Sequence, residues 1–135
     1  MNLAAIPYIT LTNIQEEGEN LFLTPDQSID NHLGSIHAGA IFTLAETQSG
    51  HYLQRHFPQF KDQVIAMVRD ASVSYKSPAM QKIKAYASLS EEETEKFLRR
   101  FERKGRGTIS VNVEVRDSDD TLVCTASFLW YVQKI

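Results

Sequence analysis

The sequence is poor in cysteine: Cys124 is the only one among 135 residues. A single cysteine cannot form a disulfide within the chain, and it cannot supply a cysteine metal centre. Cys124 lies in an alternating apolar pattern, which predicts a core residue rather than a nucleophile. The composition suits a reducing compartment, so we expect a cytoplasmic protein.

Long apolar runs, a charge excess and low-complexity segments are also missing. No run approaches the ~18–20 residues of a membrane span, and residues 1–10 do not resemble a signal peptide. The net charge is −3, which argues against nucleic acid as a partner. Without repeats or linkers, residues 1–135 are expected to form one domain.

The first half of the chain predicts short strands followed by one long helix. Tyr8–Ile14 and Asn20–Thr24 are the predicted strands, with a turn between them, and residues 26–35 form a loop. The helix runs over His37–His56, with Ser35 as its N-cap. Phe57-Pro58 ends it.

From Val64 onward the pattern changes to a period of two, which is typical of strands. One face is predicted to carry five alternate residues: Met67, Arg69, Ala71, Val73 and Tyr75. Further segments with alternating apolar residues begin at Ile83, Ile109 and Leu122. Residues 117–120 are predicted to form a turn. Glu91–Lys104 is a charged, helical insert. Together these elements predict an α+β fold in which an antiparallel sheet packs on one helix.

Glu46 is the unusual residue of the long helix, because the eight residues before it are nearly all apolar. A buried carboxylate is costly unless it is paired. Gly39 and Gly50 lie on the same helical face and would let a ligand or a partner backbone approach. An ion pair across an interface, or simple exposure, explains Glu46 about as well as a functional role does.

The loop before the helix is crowded with polar residues, namely Asn31, His32, Gly34, Ser35 and His37. The free N–H groups and the positive dipole end of a helix N-terminus suit a developing oxyanion. Turn formation and capping are alternative explanations for each of these residues taken singly.

The segment from Asn31 to Glu46, NHLGSIHAGAIFTLAE, resembles the signature of the hotdog-fold acyl-CoA thioesterases of the phenylacetate-pathway type and their uncharacterised relatives. The matching positions are Asn31, Gly34, His37, Gly39 and Glu46. Tyr75–Ala79 is similar to the end of the family's second strand. The resemblance implies a hotdog fold, in which an antiparallel sheet wraps around one long central helix.

The resemblance also implies the chemistry of the site. Glu46 would be the general base or nucleophile, the backbone N–H of Ala38 would polarise the thioester carbonyl, and Asn31 would position water or the carboxylate. The implied catalytic set is Glu46, Asn31, Ala38 and Gly39, with His37 and Gly34 contacting substrate. The substrate is an acyl-CoA or another acyl thioester, and no metal or separate cofactor is expected.

The family's active sites form between subunits, so Glu46 would face the Asn31–Ala38 loop of a partner chain in a homodimer or homotetramer. The sequence departs from the family in three respects, one of which is that the insert Glu91–Lys104 is longer than a simple hairpin. Ala38 replaces a common glycine, and Val68 stands where some relatives carry a Ser or Thr that helps to hold water.

Five basic residues follow the acidic start of the insert: Arg99, Arg100, Arg103, Lys104 and Arg106. Arginine binds phosphate well, so Arg103 and Arg106 are candidates for the nucleotide end of CoA. The alternative is a solvated helix with internal pairs such as Glu95–Arg99.

Two other functions compete with thioester hydrolysis. A non-catalytic acyl-CoA-binding domain is consistent with Val68. A hydroxyacyl-thioester dehydratase, pairing His32 with Glu46, lacks the Pro-Gly helix start typical of that class.

Overall fold

The computed structural model describes residues 2–135 as a six-stranded sheet with three α-helices. The helices are α1 (Pro7–Thr12), α2 (Ala38–His56) and α3 (Glu91–Lys104). The strands are β1 (Gln15–Glu17), β2 (Asn20–Leu23), β3 (Val64–Tyr75), β4 (Ile83–Ser88), β5 (Arg106–Asp117) and β6 (Leu122–Lys134). Short 3₁₀ turns cover Leu3–Ala5, Gln27–Ile29 and Pro58–Phe60.

All strand pairs of the sheet are antiparallel, and the strand order is β1-β2-β4-β5-β6-β3. The alternation of buried residues along β5 and β6 gives the sheet one face toward the core. The two edges are β1 and β3. β3 is long and mostly exposed, which matters for the site described below.

Helix α2 lies across the core face of the sheet and contacts β2, β4, β5 and β6. Its residues Leu44 and Ala45 are fully buried. Each fully buried aliphatic side chain such as Leu44 contributes about 1.5–3 kcal/mol. The predicted arrangement of one long helix against an antiparallel sheet is therefore confirmed.

Helix α3 is the charged insert, and its bounds match the prediction. It lies beside the part of β5 that extends beyond β4, where the Glu93 carboxylate accepts the Ser110 N–H at 3.1 Å. Phe97 is its buried residue and packs against Phe57 and Phe60 beyond the end of α2. The insert thus covers a free sheet edge, which would otherwise expose unpaired backbone groups.

The prediction of a strand over Tyr8–Ile14 is wrong, because Pro7–Thr12 is helical. The β-branched residues of this segment favour a strand. However, proline at the first helical position favours a helix start, and Ile9 and Thr12, three residues apart, are buried together.

The predicted face of β3 is wrong in its first half. A β-bulge at Arg69 shifts the register between Val68 and Asp70, and it reverses the faces of all preceding residues. Met67 therefore lies on the opposite face from Tyr75 and is exposed. A strict period of two cannot register such an extra residue.

Cys124 is fully buried, which confirms its interpretation as a core residue. Within residues 2–135, no helix combines the length and apolar character that a membrane crossing requires.

Candidate functional site at the N-terminus of the long helix

The loop from Asn31 to Ser35 is closed by the Asn31 side chain. Its Oδ1 accepts the N–H groups of Leu33 and Ser35, and its Nδ2 donates to the Ser35 hydroxyl at 2.8 Å. Gly34 has a φ of +77°, a left-handed conformation that favours glycine. Asn31 and Gly34 therefore organise the loop, and within residues 2–135 one N–H of the Asn31 amide has no acceptor.

Helix α2 is capped by His37, so the prediction of Ser35 as the N-cap is wrong. The Nδ1 atom of His37 accepts the N–H of Gly39 at 2.8 Å. This contact requires an imidazole that is unprotonated at Nδ1. A Cβ on Gly39 would lie 3.1 Å from the same nitrogen, so glycine leaves room for the cap.

The first turn of α2 leaves the Ala38 N–H free. The N–H groups of Ala40 and Ile41 donate to the His37 carbonyl, and that of Gly39 donates to His37 Nδ1. In residues 2–135 the Ala38 N–H has no hydrogen-bond acceptor. Because Ala38 is exposed, this N–H is accessible at the positive end of the helix dipole.

A groove of about 520 Å³ opens beside this N–H. One wall is the loop with Asn31 and Ala38, and the other is the segment from Tyr75 to Met80. The walls are joined by a hydrogen bond from the Ile36 N–H to the Ala79 carbonyl, 2.9 Å. Leu33 and Met80 are largely exposed at the groove, which gives it the apolar lining that an acyl chain would need.

Glu46 lies two turns further along α2 and is partly buried. Loss of hydration raises the pKa of its carboxyl above the usual value, since desolvation penalises the charged form. Its carboxylate has no ion pair or hydrogen bond within residues 2–135. The structure therefore holds a partly buried carboxylate without a partner among the residues that it describes.

The neighbours of Glu46 on the helix show which way it faces. Phe42, one turn before, packs edge-on against Phe128. Gly50, one turn after, lies under the ring of Trp130. Both aromatic residues belong to β6, so this stripe of the helix faces the side of the sheet that ends at the open edge of β3.

Gly50 has a packing reason that the sequence did not reveal. A Cβ there would lie 3.0 Å from two ring carbons of Trp130, whose indole N–H donates to the Ser49 hydroxyl at 2.9 Å. The expectation that Gly50 admits a ligand or a partner backbone is therefore wrong, because a side chain of the same chain fills the space.

Glu46 and the groove are separate within one chain. Glu46 does not line the groove, and the eight residues from Ala38 place it about 12 Å along the helix axis. The structure brings Asn31 and Ala38 together at one place and leaves Glu46 at another.

Arg103 and Arg106 lie far from both places, at the end of α3 and the start of β5. All five basic residues singled out above are exposed. Within residues 2–135 none of them makes an ion pair, and the pair in α3 joins Glu92 to Lys96 rather than Glu95 to Arg99. The alternative of internal pairing is thus not supported for these arginines.

Tyr75 is a groove residue that the sequence did not predict as part of the site. Its hydroxyl donates to the Ala38 carbonyl at 3.2 Å. In the sequence, the resemblance of Tyr75–Ala79 to the family's second strand was the one signal for this residue. The direction of the Tyr75 side chain toward α2 was not predictable, because it depends on the bulge at Arg69.

Comparison with solved structures identifies the class of fold. The Pseudomonas aeruginosa protein PA5026, a probable thioesterase, is 20% identical with a TM-score of 0.81, covering 98% of this chain and 91% of that one. The Haemophilus influenzae thioesterase HI1161 is 16% identical with a TM-score of 0.73, covering 98% and 86%. The Bacillus halodurans protein BH2602, solved with CoA, is 23% identical with a TM-score of 0.74, covering 95% and 76%.

At these identities the likeness establishes the fold, which is the α+β hotdog fold of these thioesterases, as the sequence resemblance implied. The family model of the domain of unknown function DUF4442 matches residues 6–132, and the chain belongs to that family. No curated protein matches the sequence.

Proposed function

We propose that the protein hydrolyses an acyl thioester, such as an acyl-CoA, to a free acid and a thiol. The observation that carries this proposal is the partly buried Glu46 carboxylate, which has no partner within residues 2–135. Such a group costs stability, and a raised carboxyl pKa is typical of a general base. The thioesterase names of structural relatives add support at the level of the fold.

The chemistry needs two groups at one thioester. Glu46 takes a proton from water as the water oxygen attacks the carbonyl carbon, or its carboxylate attacks directly and water then cleaves the anhydride. The Ala38 N–H donates to the carbonyl oxygen as negative charge develops on it. The carbon–sulfur bond breaks, and the sulfur leaves as a thiolate that acquires a proton.

A second copy of the chain would bring these groups together. β3 presents twelve residues along an unpaired sheet edge, and its Ile65 and Met67 are more than half exposed. An edge of this length and apolar content normally pairs or is covered. Antiparallel pairing of two β3 strands about a two-fold axis would form a homodimer with two equivalent sites.

In this dimer, Glu46 of one chain would face the partner's Ala38. The stripe carrying Glu46 points toward the β3 edge, whereas about 12 Å of helix separates it from its own Ala38. If the Glu46 carboxylate and the Ala38 N–H of one site come from different chains, both the direction of Glu46 and its distance from its own Ala38 are explained.

Subunit mixing tests this arrangement. Ala38→Pro removes the free N–H, and proline is well accepted at the first helical position. His37 already has φ −60° and ψ 139°, which suits a residue before proline. Glu46→Gln and Ala38→Pro should each reduce thiol release to a small fraction of the wild-type rate.

Random mixing of the two inactive variants should restore about a quarter of wild-type activity, because half of the dimers are mixed and each has one intact site. No recovery despite demonstrated subunit exchange would contradict a shared site. A fully active monomer by light scattering would contradict it independently.

The residues around the Ala38 N–H hold the donor in place. Asn31 and Gly34 shape the loop, and His37 and Gly39 form the cap. We assign to Asn31 a further contact, through its remaining N–H, with the attacking water or with the partner's Glu46. His37 and Gly34, both exposed, are assigned contacts with a part of the substrate outside the groove.

Arg103 and Arg106 are assigned to the phosphates of CoA. In the strand register, Arg106 of β5 lies opposite Gln133 of β6, and Val64 of β3 lies opposite the next residue, Lys134. Arg106 and the start of β3 are therefore at the same end of the sheet, whereas Tyr75 is at the other end. Antiparallel β3 pairing would place the Arg106 end of the partner beside the groove. Because β6 lies between β5 and β3, Arg106 would then be two strand spacings, about 10 Å, from the β3 edge where the two chains meet.

Replacing both arginines by glutamine should raise KM for acyl-CoA and weaken its dependence on salt, with kcat retained. Arg116→Gln, at the other end of β5, is the control. An unchanged KM for the double variant would remove these residues from substrate binding.

A non-catalytic acyl-CoA-binding protein is the competing proposal, and Val68 supports it. Val68 pairs with Trp130, so its side chain is on the core face near the Glu46 stripe, where a hydroxyl could otherwise hold water. A panel of acyl-CoAs assayed for thiol release and for binding separates the two, since the competing function predicts binding without release.

A further inference from the structure

The hydroxyl of Tyr75 contacts the backbone of the candidate site. Tyr75 is the last residue of β3 and lines the groove together with Ala38. Its O–H donates to the Ala38 carbonyl at 3.2 Å. This is a side-chain hydrogen bond from the edge strand to the first turn of α2.

The Ala38 carbonyl belongs to the same peptide unit as the Gly39 N–H. That N–H donates to His37 Nδ1 at 2.8 Å, so the peptide is held from both ends, by Tyr75 and by His37. Hydrogen bonds at the two ends of one peptide polarise each other. The next N–H toward the loop is that of Ala38, which has no acceptor in residues 2–135.

The bulge in β3 makes the Tyr75 contact possible. Before the bulge, Val68 pairs with the buried Trp130 and faces α2. After it, Ala71, Val73 and Tyr75 pair with Phe128, Ala126 and Cys124 on the same face. Without the extra residue at Arg69, Tyr75 would point away from the helix.

We propose that Tyr75 is a positioning residue for the Ala38 N–H, fixing the first turn of α2 through the Ala38–Gly39 peptide. The inference rests on the proposed function for its kinetic consequence. Tyr75 also ends the edge strand on which the second copy is proposed to dock. Pairing along β3 would therefore steady the donor of the oxyanion site as well as deliver the partner's Glu46.

Tyr75→Phe removes the hydroxyl and keeps the ring. We expect kcat for thiol release to fall roughly 3–10-fold, the scale of one net hydrogen bond, with KM within about twofold because the substrate is not contacted. Tyr86→Phe is the matched control. Tyr86 is exposed on β4, does not line the groove and makes no hydrogen bond through its hydroxyl in residues 2–135.

A second measurement does not depend on activity. In ¹H–¹⁵N spectra of the intact protein, Tyr75→Phe should shift the Gly39 amide resonance and speed its hydrogen exchange, whereas Tyr86→Phe should leave both unchanged. An unchanged Gly39 amide in Tyr75→Phe would overturn the proposal even if the wild type hydrolyses thioesters.

The kinetic outcomes are also decisive. A raised KM with unchanged kcat would mean that Tyr75 binds substrate directly, which contradicts a positioning role. If the wild type releases no thiol from any acyl-CoA, the proposed function fails, and the Gly39 amide still decides whether Tyr75 holds the helix N-terminus.

Discussion

Replacing Gly50 by alanine should destabilise the protein, although glycine-to-alanine changes inside helices normally stabilise by about 1 kcal/mol. The new Cβ would lie 3.0 Å from two carbons of the Trp130 ring. The ring cannot move freely, because it is buried and its N–H is bonded to Ser49. Overpacking of this kind costs about 1–3 kcal/mol. The expected net loss is about 0–2 kcal/mol.

Urea unfolding followed by circular dichroism measures this effect in four chains: the wild type, Gly50→Ala, Trp130→Phe and the double variant. If the ring causes the loss, Gly50→Ala should become stabilising in the Trp130→Phe background, and the cycle should give a coupling energy of about 1–3 kcal/mol. Stabilisation of about 1 kcal/mol in both backgrounds would refute the reasoning.

Burial lowers the pKa of His51 below its usual value, with Glu16 opposing the effect and Arg55 adding to it. Among residues 2–135 its Nε2 has no hydrogen-bond partner. The unfolded chain therefore binds this proton at higher pH than the native chain, so stability should fall as pH drops from about 7 to 5. In urea titrations, His51→Gln should lose less unfolding free energy than the wild type over this pH range. An equal dependence of unfolding free energy on pH would exclude His51 as the source of the loss. Asn31→Ala should reduce kcat less than Glu46→Gln but lower the unfolding midpoint, because three side-chain hydrogen bonds close its loop; an undiminished midpoint would contradict that role.

Elements with a strong hydrophobic period were predictable from the sequence. The alternating strand at Ile109 was predicted, since burial on one face leaves a period in the sequence. The long apolar helix and the charged insert Glu91–Lys104 were predicted as well. The segment Tyr8–Ile14 was mispredicted because it is short, and tertiary burial of two residues outweighed β propensity there.

The site was predictable only in part, for a related reason. The loop and Glu46 were found through their polar residues and their resemblance to a known family. The His37 cap, the Trp130 ring over Gly50 and the hydroxyl of Tyr75 depend on contacts between elements distant in sequence. A bulge at Arg69 directs Tyr75 to the helix, and a single extra residue in a strand leaves no periodic signal.

The central claim is that Glu46 performs the chemistry, and the turnover of purified Glu46→Gln on the best acyl-CoA tests it most directly. We predict a kcat loss of about 10²–10⁴ with little change in KM. Stability at neutral pH should be equal or higher, because the raised pKa means that the ionised carboxylate destabilises the folded state. Glu95→Gln, an exposed glutamate of α3, is the control and should behave as wild type. A near-wild-type kcat for Glu46→Gln, with a lower melting temperature, would contradict the account.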